Sequence, residues 1–188
     1  MTYRPITDVW ILARPKVKFY GAYPNGFLVR ARALLGASIY DPVLHVCAGA
    51  VRDYPVKGGF GPNDLTMDID DRHHPDFLMD AREPFPEAVI KAVLIDPPYD
   101  VGEARHYQTE GVFPSANLLL KNGLAALPVG GRVGILHWTW PSPPKSIPTK
   151  LIAAIAVLMG YNNRIRLYSV YEKVAETPGG LKIEGVAK

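Results

Sequence analysis

Cysteine is nearly missing: Cys47 is the only one in 188 residues. A disulfide framework within the chain and a cysteine-built zinc module are therefore excluded. A reducing, cytoplasmic setting is the default expectation. No run of 18 or more apolar residues occurs, so no membrane-spanning helix is expected. The opening stretch, MTYRPITDVWILARPKVK, has only a short apolar patch at residues 9–13. It lacks the longer apolar region and small-residue cleavage site of a signal peptide. Charge of one sign is also scarce, with 21 Lys and Arg against 18 Asp and Glu, a net +3. That balance permits a polyanionic partner without the dense basic stripe of many compact nucleic-acid binders. There is no repeat at a solenoid period and no low-complexity tract.

Punctuation, by contrast, is plentiful. Eighteen prolines and seventeen glycines argue for short elements joined by defined turns. The 48% hydrophobic content suits one compact domain, expected to span residues 1–188. Residues 27–36, FLVRARALLG, have helical spacing and a glycine stop. Short apolar runs follow at 43–50 (VLHVCAGA), 65–70 (LTMDID), 77–81 (FLMDA) and 92–96 (AVLID), each reading as a strand. Residues 115–127 read as a helix and 132–138 as a strand. Residues 147–161, IPTKLIAAIAVLMGY, read as a second long helix ending at Gly160. Residues 164–174 alternate like a strand, with 181–186 pairing back on it. The alternation predicts an α/β sheet, mostly parallel, with helices on both faces.

In such sheets ligands bind beyond the carboxyl ends of the strands. Here four successive candidate strands end at Gly49, Asp68, Asp80 and Asp96. Singly, the glycine could serve a turn and the aspartates could cap. In strand order they point to a ligand crevice. His73 and His74 near Asp76 fit no standard metal spacing, and no metal is expected.

The tetrapeptide Asp96-Pro97-Pro98-Tyr99 after a buried strand resembles the catalytic motif of S-adenosylmethionine-dependent amino-methyltransferases. These methylate exocyclic amines of nucleobases, adenine N6 or cytosine N4 in DNA, with RNA-modifying relatives. The resemblance covers roughly residues 16–174. It implies a Rossmann-like class I methyltransferase fold with an antiparallel C-terminal strand, and S-adenosyl-L-methionine as cofactor. It implies catalytic roles for Asp96, Pro97, Pro98 and Tyr99. The Asp96 carboxylate and Pro97 carbonyl would accept the amine protons, with the carbonyl held by proline's locked φ. Tyr99 would stack on the base.

The implied cofactor residues are Lys18, Tyr20 and Gly21 before the first motif; His45, Cys47, Ala48 and Gly49 within it; Asp68 for the ribose, with Asp70 a rival; Asp80 and Ala81 for the adenine; and Asp96. The first motif departs from the family. His45 stands where an acid is expected, Cys47 replaces Phe, and Val51 replaces the second Gly. Between Gly49 and Leu65 the family's helix is replaced by AVRDYPVKGGFGPND. This is either a surface loop or a run of backbone N–H groups facing a cofactor or phosphate.

Arg105, His106, Tyr107, His137, Trp138 and Trp140 are candidate base or phosphate contacts. No separate target-recognition domain is expected, so recognition is relaxed, or supplied by a homodimer mate or partner subunit, or the substrate is not duplex DNA. The implied activity is methyl transfer to adenine N6 in DNA, with DNA favoured over RNA as partner. The alternatives are RNA base N-methylation and a non-catalytic scaffold or nucleic-acid-binding subunit.

Overall fold

Residues 92–95, Ala-Val-Leu-Ile, are fully buried, as a central parallel strand must be when both of its faces are covered. The computed structural model describes residues 3–16, 22–53, 59–106, 114–160 and 164–176. Its strands are β1 (Ile6–Leu12), β2 (Val43–Val46), β3 (Leu65–Asp68), β4 (Phe77–Leu78), β5 (Ala92–Ile95), β6 (Arg132–His137), β7 (Thr149–Met159) and β8 (Arg166–Lys173). Its α-helices are α1 (Phe27–Leu35), α2 (Val101–His106) and α3 (Ala116–Ala126). One eight-stranded sheet runs β1-β7-β8-β6-β5-β2-β3-β4. Every pairing is parallel except those of β8, which is antiparallel to both β6 and β7.

Strand periodicity sorts the core into two layers. Val43, Ala92 and Leu94 lie under α1, with Phe27, Leu28, Ala31, Leu35, Trp10 and Tyr168. Leu44, Val46, Val93 and Ile95 lie under α3, with Leu119, Leu120, Leu124 and Val133. The helix α1 stops where sequence indicates. Gly36 turns left-handed at φ 67°, and the N–H groups of Gly36 and Ala37 close on the carbonyls of Ala33 and Arg32. The Ser115 hydroxyl caps α3 by accepting from the Leu118 N–H.

One expectation is corrected here, and one strand is added. Residues 149–159 are a strand, not a helix. TKLIAAIAVLM is apolar nearly throughout, so its period is ambiguous. Its place between β1 and β8 buries it as a sheet member. Residues 6–12, not read as an element from the sequence, form the parallel edge strand β1. The expected pairing of 181–186 lies outside the described residues.

Between β2 and β3 the described residues hold a 3-10 turn at Val51–Asp53 and no α-helix. The glycine-rich segment is packed rather than ligand-facing where it is described. A Cβ on Gly59 would sit 2.4 Å from Leu28 Cβ, and one on Gly61 would sit 2.2 Å from the Ile39 carbonyl oxygen. The segment therefore lies hard against α1 and the turn that follows it. Asp64 anchors it, accepting from the buried Arg32 guanidinium and from the N–H groups of Gly61 and Val43. No helix among the described residues is long and apolar enough to cross a membrane.

Candidate functional site

Strand order reverses at β2 and β5: the chain proceeds outward from β2 through β3 to β4, and from β5 through β6 on the other side. Connections leaving two adjacent strands in opposite directions open a crevice beyond their carboxyl ends. Cys47, Ala48 and Gly49 leave β2 there. Cys47 and Gly49 both adopt left-handed backbone, at φ 55° and 49°. The Gly49 N–H donates to Asp68 Oδ2 at 2.8 Å, and the Asp70 N–H donates to Asp68 Oδ1 at 2.9 Å. The Ala48 N–H donates to the Met67 carbonyl, tying the end of β2 to β3.

Burial pushes the Cys47 thiol well up, and the carboxylates of Asp68, Asp96 and Asp80 push it further. Three acids from three strand ends thus act on one sulfur. That convergence lines the crevice with carboxyl groups. Asp80 is also engaged locally. Its carboxylate accepts from the Arg82 N–H and guanidinium, which holds it below its ordinary pKa. Asp70, the rival for the ribose, caps the 3-10 turn at Asp71–His73 and pairs with Arg72. Ala81 is buried beside Asp80.

His45 is not brought to this crevice. Period two turns it to the α1 face, where it is 1% exposed and packs on Phe60. Its Nε2 meets Asp64 at 3.1 Å, and burial lowers its pKa. Lys18, Tyr20 and Gly21 lie outside the described residues, as does Tyr107. Among the described residues no cluster of His, Cys, Asp and Glu could hold a metal.

The Asp96-Pro97-Pro98-Tyr99 tetrapeptide emerges from β5. Burial raises the Asp96 carboxyl to about 6, against the opposing pull of the Arg166 charge and a hydrogen bond from Tyr99. The Tyr99 hydroxyl donates to Asp96 Oδ1 at 2.6 Å, and Arg166 Nη1 donates to the Tyr99 hydroxyl at 3.3 Å. Pro97 is buried beside them. The turn is locked from α2: the Tyr99 N–H donates to Glu103 Oε2, and the Glu103 N–H donates to Asp100 Oδ1.

Tyr99 is therefore not an open stacking platform here. Its ring lies edge to face with His137 at 5.3 Å and tilted against Trp138 at 5.1 Å. Arg164 covers Trp138 at 4.2 Å. Trp140 is exposed on the loop beyond.

Arg166 and Glu103 did not stand out in the sequence as site residues. The signal for Arg166 is topological. An antiparallel strand among parallel neighbours begins where the others end, and Leu167 pairs with His137 at the carboxyl end of β6. An arginine opening that strand is delivered to the crevice.

No family model and no curated protein matches the chain. Solved structures do. TrmN from Thermus thermophilus aligns with TM-score 0.55 and 22% identity, over 82% of this chain and 50% of that one. A candidate hemolysin from Streptococcus thermophilus aligns with TM-score 0.54 and 16% identity, over 86% and 70% of the two chains. A candidate S-adenosylmethionine-dependent methyltransferase from Streptococcus mutans aligns with TM-score 0.52 and 16% identity, over 80% and 50%. The chain spans half the length of the first and third of these. At such identities the likeness is one of architecture: the sheet is a Rossmann-like class I methyltransferase fold.

Proposed function

We propose that this chain is an S-adenosylmethionine-dependent methyltransferase acting on the exocyclic amine of an unpaired nucleobase, with RNA ahead of DNA as acceptor. The observation that carries this reading is the placement of Asp96-Pro97-Pro98-Tyr99 at the end of β5, beside the crevice formed with Gly49 and Asp68. The donor set fits the cofactor. Asp68 suits a ribose diol, and Asp80 with Ala81 suits an adenine edge. The carboxyl groups of the crevice suit a sulfonium and an ammonium. When bound, the cofactor supplies an electrophilic methyl group.

The rest is done by the chain. An aromatic amine has its lone pair delocalised into the ring. The Asp96 carboxylate and Pro97 carbonyl would take its two N–H groups and draw the nitrogen towards tetrahedral geometry. Asp96 must be ionised to do so, and Arg166 favours that form. The Tyr99 hydroxyl donates to Oδ1, and Oδ2 would accept from the amine. Pairing of fixed acceptors with a positioned amine is catalysis by orientation and electrostatics.

The expectation of adenine N6 in DNA rested on the family resemblance carried by the tetrapeptide and gains no support from the fold. The connection from β6 to β7 beside the crevice is short, eleven residues, 138–148. Loops and bulges of RNA present bases already unstacked. The test is transfer of labelled methyl groups to RNA, single-stranded DNA, duplex DNA and protein, followed by nucleoside analysis. An N-methylated amino nucleoside from RNA is expected. Preference for duplex DNA would reverse the ordering. Transfer to protein alone, or none despite binding of S-adenosylhomocysteine, would overturn the reading.

A further inference from the structure

His137 sits at the carboxyl end of β6, and its Nε2 is a buried polar atom without a partner among the described residues. Its tautomer follows from its other nitrogen. The Thr139 backbone N–H donates to Nδ1 at 2.9 Å. A backbone N–H can only donate, so Nδ1 presents its lone pair. Burial disfavours the charged ring, and the single proton therefore rests on Nε2. The residue is 5% exposed, which leaves a buried donor lacking an acceptor. Such groups are rare, and each asks what completes it.

The ring that packs edge to face on His137 is Tyr99, whose hydroxyl occupies Asp96. One side chain thus stands against both an unpaired donor and the acceptor carboxylate. Arg166 donates to that hydroxyl, and Glu103 accepts from the Tyr99 backbone N–H.

Every amino nucleobase carries a ring nitrogen with an in-plane lone pair next to its exocyclic amine. The shared pattern is an amidine edge, N=C–NH2. A carboxylate and an N–H donor side by side complement it: one accepts from the amine, the other donates to the ring nitrogen. We propose that His137 Nε2–H is the donor that reads this ring nitrogen, so that Asp96 and His137 together select an amidine edge. A keto base offers a carbonyl to the carboxylate and an N–H to the histidine, and is refused at both points. This inference rests on, and deepens, the reading of the chain as an amino-methyltransferase.

The test uses RNA oligonucleotides carrying the responding base or its deaza analogue, in which C–H replaces the ring nitrogen beside the amine (1-deazaadenine, 3-deazacytosine or 3-deazaguanine). kcat/KM is measured on both for the wild type, His137→Phe and His137→Gln. Loss of one buried hydrogen bond lowers kcat/KM by roughly 10- to 100-fold. The wild type should lose that factor on the analogue. His137→Phe should show the loss on the natural base and little more on the analogue. His137→Gln, which keeps an N–H donor, should recover part of it. Equal sensitivity of wild type and His137→Phe to the analogue overturns the inference, as does an indifferent wild type. If His137→Phe does not fold, the wild-type comparison decides alone. Failure of the parent reading looks different: the wild type then methylates no amino base while still binding S-adenosylhomocysteine, and that result ends both.

Discussion

Replacing Arg166 with methionine should move the acid limb of the pH–rate profile upward. Arg166 Nη1 lies 3.3 Å from the Tyr99 hydroxyl, which lies 2.6 Å from Asp96 Oδ1. The guanidinium is therefore within roughly 6 Å of the carboxylate. With an effective dielectric of about 20, that separation corresponds to roughly 3 kcal/mol, or about two pKa units. Arg166 is only partly buried, so screening trims the effect to about one unit. The sign is fixed: a cation favours the ionised carboxyl, and removing it raises a pKa that burial has already lifted to about 6. In the proposed mechanism Asp96 accepts from the amine only when ionised, so kcat/KM should fall as it protonates. The wild-type midpoint should lie near 6 and that of Arg166→Met near about 7. Arg166→Lys should stay close to wild type. Initial rates of labelled-methyl transfer from about pH 5 to 9 read this directly, with thermal melts confirming the fold. A folded Arg166→Met protein with an unmoved or lowered acid limb would refute the assignment of Asp96 as proton acceptor.

Asp96→Asn should abolish transfer yet stabilise the protein at high pH. The folded pKa is raised from 3.8 to about 6, so this group's favourable contribution is complete below the lower value and lost as pH rises through the higher. Urea unfolding should show a gain of about 1–3 kcal/mol at pH 8 and almost none at pH 4, and a loss at pH 8 would count against it. Arg32→Ala should destabilise by about 3–5 kcal/mol in the same assay, because it strands the buried Asp64 carboxylate under α1; a change below about 1 kcal/mol would contradict the anchoring role. Gly61→Ala should lower the melting temperature more than Gly49→Ala does. The first forces a Cβ onto the Ile39 carbonyl, and the second meets open space and bears only left-handed backbone strain of about 1 kcal/mol. The reverse order would show that the close packing against α1 is not what fixes the loop.

The sheet was legible where burial is symmetrical and length decides. VLHV, AVLI and RVGILH are too short for helices and lie between glycine and proline stops, so strand was the reading left open to them. TKLIAAIAVLM failed the same test. Eleven residues of mixed alanine and branched side chains satisfy both periods, and only pairing with β1 and β8 selects the strand. β1 is the complementary case. As an edge strand it leaves Val9 and Ile11 exposed and buries Trp10 and Leu12, and without its partner's register that alternation reads as a stray patch.

The site divides along the same line. Residues at strand ends announced themselves: Gly49, Asp68, Asp80 and Asp96 follow apolar runs, and the fold brings all four strand ends to one crevice. Residues whose roles depend on which face or which neighbour they meet did not. His45 belongs to a motif in sequence, yet period two sends it beneath α1, where Asp64 of the glycine-rich loop receives it. That pairing gives a reason for the departure from an acid at this position, since a second carboxylate facing buried Asp64 would be repelled. Arg166 is the converse. Nothing near it in sequence marks it, yet the insertion of β8 between β6 and β7 sets its guanidinium on Tyr99 and, through it, on Asp96. The tetrapeptide supplies the proposed acceptor, but its charge state depends on a strand some seventy residues away, so substitutions at the start of β8 should alter the pH dependence of the proposed reaction before they alter the fold.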